Sequence, residues 1–452
     1  MVTTHWVSLC IFWFCLVWTE GSELCACNGK SHGRGAIGTK CARWDAPDER
    51  PWCYVDADAC GADTFESRKG VYWAQRPCSK VSAAELNRAK TGAELAGGAG
   101  GAPAASAASA SAESEPWRRG KADRKKKGCE LTMPWVDLFD HIHVAPTQKG
   151  KPRILCSIYT NSEDGSIYKA QGESKPRDPY QRAQWLTWGN KCDRFIFWTD
   201  APLKNGLPYR VVKTPGGESY YNMWAKVRTI WSTIAEEYAK DYDYFTMGGD
   251  DNYLVLENLR KYLLSDEIKS ANDAGEALYL GRRMHGGTSH HGVFNTGGAQ
   301  YVMNKKALGT LMDGLRKGHC RPDAQTHEED VKVACVLREA GVHPRDTAAA
   351  DGNRFSPLSA EATFIYKIGS WGPHGWFDVY QHPLYGGKEQ YEAKFPCCGI
   401  KCCSKDFVSI HYMDQGGMLE AFNLMHYCRG DPKYSEPLHR DSPLPPVPKD
   451  WK

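Results

Sequence analysis

The chain has 452 residues and a formal net charge of +3; at 41% hydrophobic and 25% charged it is globular in composition, and it is longer than one hydrophobic core commonly supports. So balanced a charge argues against a nucleic-acid or acidic-surface partner. The lack of a GxGxxG or GxxxxGK[ST] loop puts dehydrogenases and P-loop enzymes out of the front rank.

Residues 6–18 form an apolar stretch, short for a bilayer crossing, followed by Thr19-Glu20-Gly21 with a small residue at a cleavage position. Residues 1–21 therefore read as a cleavable signal peptide. With no Lys or Arg ahead of the stretch, an uncleaved type II anchor in the membrane is the other reading. The 18 cysteines, concentrated toward both ends, suit an oxidising lumenal or secreted setting. No Asn-x-Ser/Thr sequon occurs.

Across residues 22–80, Cys25, Cys27, Cys41, Cys53, Cys60 and Cys78 lie among Gly and Trp and predict a disulfide-rich module, with fifteen connectivities open. The Cys25-Ala26-Cys27 spacing and the lack of paired CxxC units make zinc a poorer reading. Pro51 to Val55, with Tyr72-Trp73, has the aromatic-cysteine pattern of small recognition modules; it serves either a carbohydrate or protein contact or a miniature core. Residues 81–128 are expected to be a stem. Its stretch 96–114 is almost entirely Ala, Gly and Ser, and the basic run Arg118 to Lys127 reads as a solvated linker or a contact to anionic glycans.

Residues 129–452 alternate in period. Runs at 154–159, 194–198, 244–247, 277–280 and 408–411 predict strands, and 222–238, 254–264, 305–315 and 328–340 predict helices. That alternation implies an α/β domain with a mainly parallel twisted sheet. The run 242–253 is aromatic and apolar until it stops on Asp250 and Asp251. At the carboxyl end of a buried parallel strand, paired acids face a cleft and suit Mn²⁺ or Mg²⁺ holding a diphosphate; alone, Asp-Asp-Asn is also ordinary turn and helix-cap chemistry.

Further segments change that balance. Leu186 to Cys192, Trp224-Ala225-Lys226, the Asp-Asp segment, Leu280 to Arg283, Asn295 to Met303, Glu329-Asp330-Val331, His343 to Thr347, Arg354 to Pro357 and Cys402 to Tyr412 occur in one order. In that order and rough spacing the chain resembles the β1,3-glycosyltransferases. It is most similar to the core 1 type, glycoprotein-N-acetylgalactosamine 3-β-galactosyltransferase, with the fringe enzymes as cousins. The resemblance covers the C-terminal two-thirds and none of the Cys-rich module.

It implies a GT-A, Rossmann-like fold, a nucleotide-sugar donor, Mn²⁺ and inversion at the anomeric carbon. The expected reaction transfers galactose from UDP-galactose to the 3-OH of GalNAc-Ser/Thr on a glycoprotein, in the Golgi or secretory lumen; a homodimer is compatible with it. The resemblance makes Asp251 and His411 the metal ligands and Asp330 the general base. Read without it, Glu328 to Asp330 are a favourable acidic first turn of a helix. It makes Asp250, Thr160, Lys226, Arg282, Arg283, Gly297 and Gly298 the donor-binding set. For the three cations internal acid pairing is an alternative to phosphate binding, and for the two glycines a β-bulge is an alternative to close ligand approach. Trp376 and Tyr380 fall in the acceptor-binding segment. Cys156 with Cys192 and Cys320 with Cys335 are the disulfides implied. Cys397, Cys398, Cys402 and Cys403 suit disulfides in an oxidising lumen, with zinc as the alternative.

The family's acidic motif is three consecutive aspartates, and Gly249 stands at its first position here. Two other readings follow: a fringe-like transferase adding N-acetylglucosamine to O-fucose, and a noncatalytic, chaperone-like relative. The joint retention of Asp250, Asp251, Asp330 and His411 argues for catalysis.

Overall fold

A computed structural model describes residues 115–130, 135–146, 152–162, 176–286, 292–365, 376–385, 387, 400 and 403–451, together with the strands at 53–55, 65–68 and 71–74. The chain divides into two compact units: 1–109 with 369–379, and 110–368 with 380–452. In the first, β1 (Cys53–Val55), β3 (Val71–Ala74) and β2 (Phe65–Arg68) form an antiparallel sheet in that order, with a register shift between Glu66 and Arg68. β1 and β3 fall on the aromatic-cysteine runs singled out in the sequence, and β2 does not. Cys25, Cys27, Cys41, Cys60 and Cys78, the Ala/Gly/Ser stretch and the N-terminal apolar segment lie outside the described residues. Among the described residues no helix is long and apolar enough to cross a membrane.

The second unit is built on a six-stranded sheet. Its strands are β4 (Ile154–Tyr159), β5 (Arg194–Thr199), β6 (Tyr209–Val211), β7 (Tyr244–Gly249), β9 (Tyr279–Leu280) and β12 (Tyr301–Asn304), in spatial order β6-β5-β4-β7-β12-β9. The three pairings among β6, β5, β4 and β7 are parallel, and the two that β12 makes are antiparallel. β7 is buried throughout and β4 nearly so, which explains their unbroken apolar character. The sequence pattern does not predict β12, whose apolar run is only three residues long before it ends on the buried Asn304.

Helices α1 (Val136–His141), α2 (Asp178–Thr187), α3 (Met223–Glu237), α4 (Leu256–Leu263), α5 (Asp266–Asp273), α6 (Lys305–Arg316), α7 (Glu329–Glu339), α8 (Ala360–Ile365), α9 (Trp376–Gln381) and α10 (Gln415–Met425) complete the described elements, with short 3₁₀ turns. A hairpin of β10 (Arg283–His285) and β11 (Val293–Asn295) precedes β12, and a small sheet orders β13 (Phe355–Ser356), β14 (Ser409–Ile410) and β8 (Tyr253–Leu254).

Two disulfides are those the resemblance implies, Cys156–Cys192 and Cys320–Cys335. A third, Cys129–Cys428, spans 299 residues and was not anticipated. Counting would have found it: once those two pairs and the four cysteines at 397–403 are set aside, Cys129 and Cys428 remain in the domain. Cys397, Cys398 and Cys402 lie outside the described residues, and Cys403 is buried.

The basic run is not a solvated linker over 118–127. Arg118 is buried and donates to the Ala145 carbonyl, Arg124 pairs with Asp140, and Lys126 sits over the Tyr427 ring while donating to that residue's carbonyl. Cys129–Cys428 ties the segment down, so Arg118, Arg124 and Lys126 meet fixed partners while Arg119, Lys121, Lys125 and Lys127 stay exposed.

Candidate active site

The carboxyl ends of β4, β5 and β7 deliver Thr160, Asp200 and Asp250 to one edge of the sheet. The chain order reverses about β4, which pairs with β5 on one side and β7 on the other, so the crevice opens between β4 and β7. Thr160 and Asp250 meet there, the threonine hydroxyl donating to Asp250 Oδ2 at 2.5 Å. Arg177 Nη1 donates to the other oxygen at 3.1 Å. Burial pushes the Asp250 carboxyl up, against the pull of Arg177. With both oxygens so engaged, Asp250 acts inward, as a brace between β4, β7 and the start of α2.

Asp251 points the other way. Its side chain is 30% exposed, and Oδ2 lies 3.4 Å from His411 Nε2. Residues 160 apart in sequence meet because β14 runs antiparallel to β8, pairing Ile410 with Tyr253 and leading the Met413 N–H onto the Asp251 carbonyl at 2.9 Å. Burial works to raise the Asp251 carboxyl, but the charge and hydrogen bond of His411 outweigh it and hold the group below its ordinary value. His411 Nδ1 faces the Pro357 carbonyl at 3.3 Å. With a proton on Nδ1 donated to that carbonyl, the neutral ring would offer its Nε2 lone pair to a cation in place of the contact Nε2 now makes with Asp251.

The antiparallel β12 performs the next step of assembly: its first residue, Tyr301, pairs with Met247, so the turn Gly297–Ala299 just before it lands beside the end of β7. A Cβ on Gly298 would lie 2.5 Å from Cε1 and Nδ1 of His411, and one on Gly297 would strike the Glu329 carboxylate. These glycines are neither a β-bulge nor in positive-φ backbone; they admit the protein's own His411 and Glu329 to close range. The Gly297 N–H donates to Asp330 Oδ2 at 2.8 Å, and Val331 N–H donates to Oδ1 at 2.8 Å. A helix N-terminus should keep Asp330 ionised. Instead burial outweighs those two backbone hydrogen bonds, and its carboxyl is pushed up. Its neighbour Glu329 is buried against Tyr301, whose hydroxyl donates to Oε2 at 2.9 Å, and burial raises it well above the usual range.

Asp251, His411, Gly297, Gly298 and Asp330 thus form one contiguous group, and Asp250 and Thr160 brace it from behind. The three expected phosphate-binding cations are turned to protein partners. Lys226 is wholly buried, donating to the Thr160 carbonyl at 2.6 Å and to Glu218 at 3.2 Å. Arg282 donates to Gln381 at 2.9 Å, and Arg283 pairs with Asp346. For these cations, internal pairing is the role the geometry shows. Tyr380 meets Phe294 edge-on at 6.3 Å. The side chain of Trp376 lies outside the described residues.

Sequence reasoning missed Arg177, Gln181 and Gln184. Gln181 donates to the Thr160 hydroxyl at 3.1 Å, and Gln184 donates to the carbonyls of Gly249 at 3.1 Å and Asn252 at 2.9 Å. Their spacing of four and three places them on one face of α2. Polar residues there, beside Trp185 and Leu186, were the available signal.

Asp251 and His411 supply one oxygen and one nitrogen, donors that a divalent cation can share. Ligands at about 2.1 Å from an octahedral ion stand roughly 3 Å apart at right angles, so a 3.4 Å separation fits a shared cation. Such an ion ordinarily takes its remaining positions from water and substrate phosphate. Among the described residues, Cys320, Cys335 and Glu339 also converge, but the two sulfurs are bonded to each other. A Cβ on Gly249 would lie 2.9 Å from Asp251 Oδ1 and 3.4 Å from the Tyr159 ring, so the bare glycine leaves room for the Asp251 carboxylate.

No family model matches the chain. Over 322 residues, 70% of this chain and 79% of the other, it is 25% identical to glycoprotein-N-acetylgalactosamine 3-beta-galactosyltransferase 1 of Xenopus laevis.

Proposed function

We propose, from this distant kinship and the geometry around Asp251, that the chain is an inverting, Mn²⁺-dependent glycosyltransferase of GT-A architecture. It transfers galactose from UDP-galactose to the 3-OH of GalNAc-Ser/Thr on glycoproteins of the secretory lumen. The observation that carries the reading is the approach of Asp251 and His411 to 3.4 Å beside the glycine turn that also holds Asp330. The three disulfides among the described residues support the lumenal setting.

Asp251 and His411 would hold the cation; when bound, it neutralises charge developing on the departing diphosphate as a Lewis acid. Asp330 accepts the proton of the acceptor 3-hydroxyl as that oxygen forms its bond to the anomeric carbon. The bond to the UDP oxygen breaks on the opposite face, which inverts the centre. A carboxylate raised by burial is a better base than an exposed one, and the backbone donors at Gly297 and Val331 fix its orientation. Asp250 keeps Thr160 and Arg177 in register with the metal-binding carboxylate, a positioning role.

The test is to incubate the purified chain with a panel of UDP-sugars and GalNAc-peptide or fucosyl acceptors, with Mn²⁺ or with chelator. Chelator-sensitive galactose transfer to the GalNAc-peptide is the expected result. N-acetylglucosamine transfer to fucose would identify the fringe-like reading. No transfer by a folded chain that binds a sister transferase would overturn the enzyme reading for the chaperone-like one.

A further inference from the structure

The 3₁₀ turn Tyr220–Asn222 carries a group of rings that the proposed chemistry leaves unused. Tyr220 stacks on His327 with centroids 5.2 Å apart and planes 20° from parallel, and Tyr221 meets the same imidazole edge-on at 6.3 Å. Tyr221 is 58% exposed, among the most exposed large hydrophobic side chains described. One exposed tyrosine is unremarkable. Three rings gathered on a pinned loop next to a catalytic carboxylate call for a function.

The pinning is extensive. Trp224 donates its N–H to the Thr326 carbonyl at 3.0 Å and its indole N–H to the Pro322 carbonyl at 2.9 Å. Asn222 ties the other side to the carbonyls of Pro215 and Gly217 at 2.7 and 2.9 Å. Cys320–Cys335 clamps the loop to α7. The rings are therefore held rather than left to reorient on binding, which lowers the entropic cost of recognition.

His327 precedes Asp330 by three residues, at most about 10 Å of chain even if fully extended. Burial and then the charge of Asp330 push the Tyr220 phenol up, so this ring lies within electrostatic reach of the base. The base meets only the acceptor; the donor belongs with the metal pair and the carboxyl ends of β4 and β7. We propose that Tyr221, backed by His327 and Tyr220, is an acceptor subsite that stacks against the apolar face of the acceptor's pyranose ring. The assignment rests on the transferase reading given above.

Acceptor and donor KM values of the full chain with Tyr221→Ala, Tyr221→Phe and His327→Ala test it, using GalNAc-peptide and UDP-galactose. A lost aromatic contact of ~1.4 kcal/mol predicts about a tenfold rise in acceptor KM for Tyr221→Ala, an unchanged donor KM, and retention of wild-type behaviour in Tyr221→Phe. An unchanged acceptor KM, or a rise confined to the donor, overturns the subsite while leaving the transferase reading intact. Saturation-transfer NMR with the GalNAc-peptide alone supplies a readout independent of turnover. Transfer to the sugar ring protons should weaken in Tyr221→Ala, and an undiminished signal overturns the subsite. A wild-type chain that transfers no sugar at all removes the transferase reading instead.

Discussion

Gly298→Ala adds one methyl group where the site has no room for it. The new Cβ would stand 2.5 Å from Cε1 and Nδ1 of His411 and 3.1 Å from Nε2. Carbon atoms pack at about 3.5–4.0 Å, so the imidazole must retreat by roughly 1 Å. It has little freedom to do so smoothly, because it stacks on Tyr412 at 3.6 Å and its side chain is 15% exposed. The displaced atom is the proposed metal donor, now 3.4 Å from Asp251 Oδ2. A misplacement of ~1 Å at a reacting constellation costs on the order of 100-fold in rate, equivalent to about 2.7 kcal/mol. Gly298 has no positive φ, so the backbone accepts alanine and the fold should survive. The assay is kcat/KM across a Mn²⁺ titration, with free Mn²⁺ followed by electron paramagnetic resonance and folding by thermal melting. The expected outcome is a loss of about two orders of magnitude with a weakened Mn²⁺ half-saturation and a native-like melt. Unchanged Mn²⁺ affinity and turnover would refute the assignment of His411 to the cation.

Asp330→Asn should cut turnover by about 10²–10⁴-fold while leaving Mn²⁺ affinity in place. Because burial raises the Asp330 carboxyl, its stabilising contribution is complete below the unfolded value, 3.8, and is lost as pH rises through the folded value. The asparagine variant should therefore melt no lower than wild type at neutral pH, and the acid limb of wild-type activity should sit above the ordinary aspartate range. His426 behaves oppositely: burial, then Lys191, lowers it from 6.5 to about 4. Its contribution is present above 6.5 and is lost as pH falls through 4, so His426→Gln should flatten the acid side of the melting-temperature profile. Gly249→Asp, which would make three consecutive acids at 249–251, should lower rather than raise Mn²⁺-supported turnover. Its Cβ alone would crowd Asp251 Oδ1 at 2.9 Å, and a turnover gain would show that the carboxylate has another place to go.

Periodicity and segment order made much of this protein legible. The runs that became β4, β5, β7, α3, α6 and α7 carry their own patterns, because a strand buried on both faces is continuously apolar and an amphipathic helix repeats every three to four residues. The stop of β7 on Asp250-Asp251 could likewise be read locally, since a parallel strand ends at a cleft.

What the sequence could not assign was the direction in which each charged group turns. Asp250 and Asp251 are adjacent, yet Thr160 and Arg177 draw the first inward while His411 meets the second at the crevice. Lys226 has the residue type for phosphate binding, but it is buried between Thr160 and Glu218. The meeting of Asp251 with His411, the approach of Gly297 to Asp330 and the bond between Cys129 and Cys428 all join residues far apart in the chain. Sequence by itself determined the central parallel strands, four of the helices and the inventory of acids, imidazoles and thiols, because short-range pattern records local burial. Only the tertiary structure decided which of them share a site, because strand pairing at β8–β14 and β7–β12 brings distant segments together and desolvation then sets each group's charge.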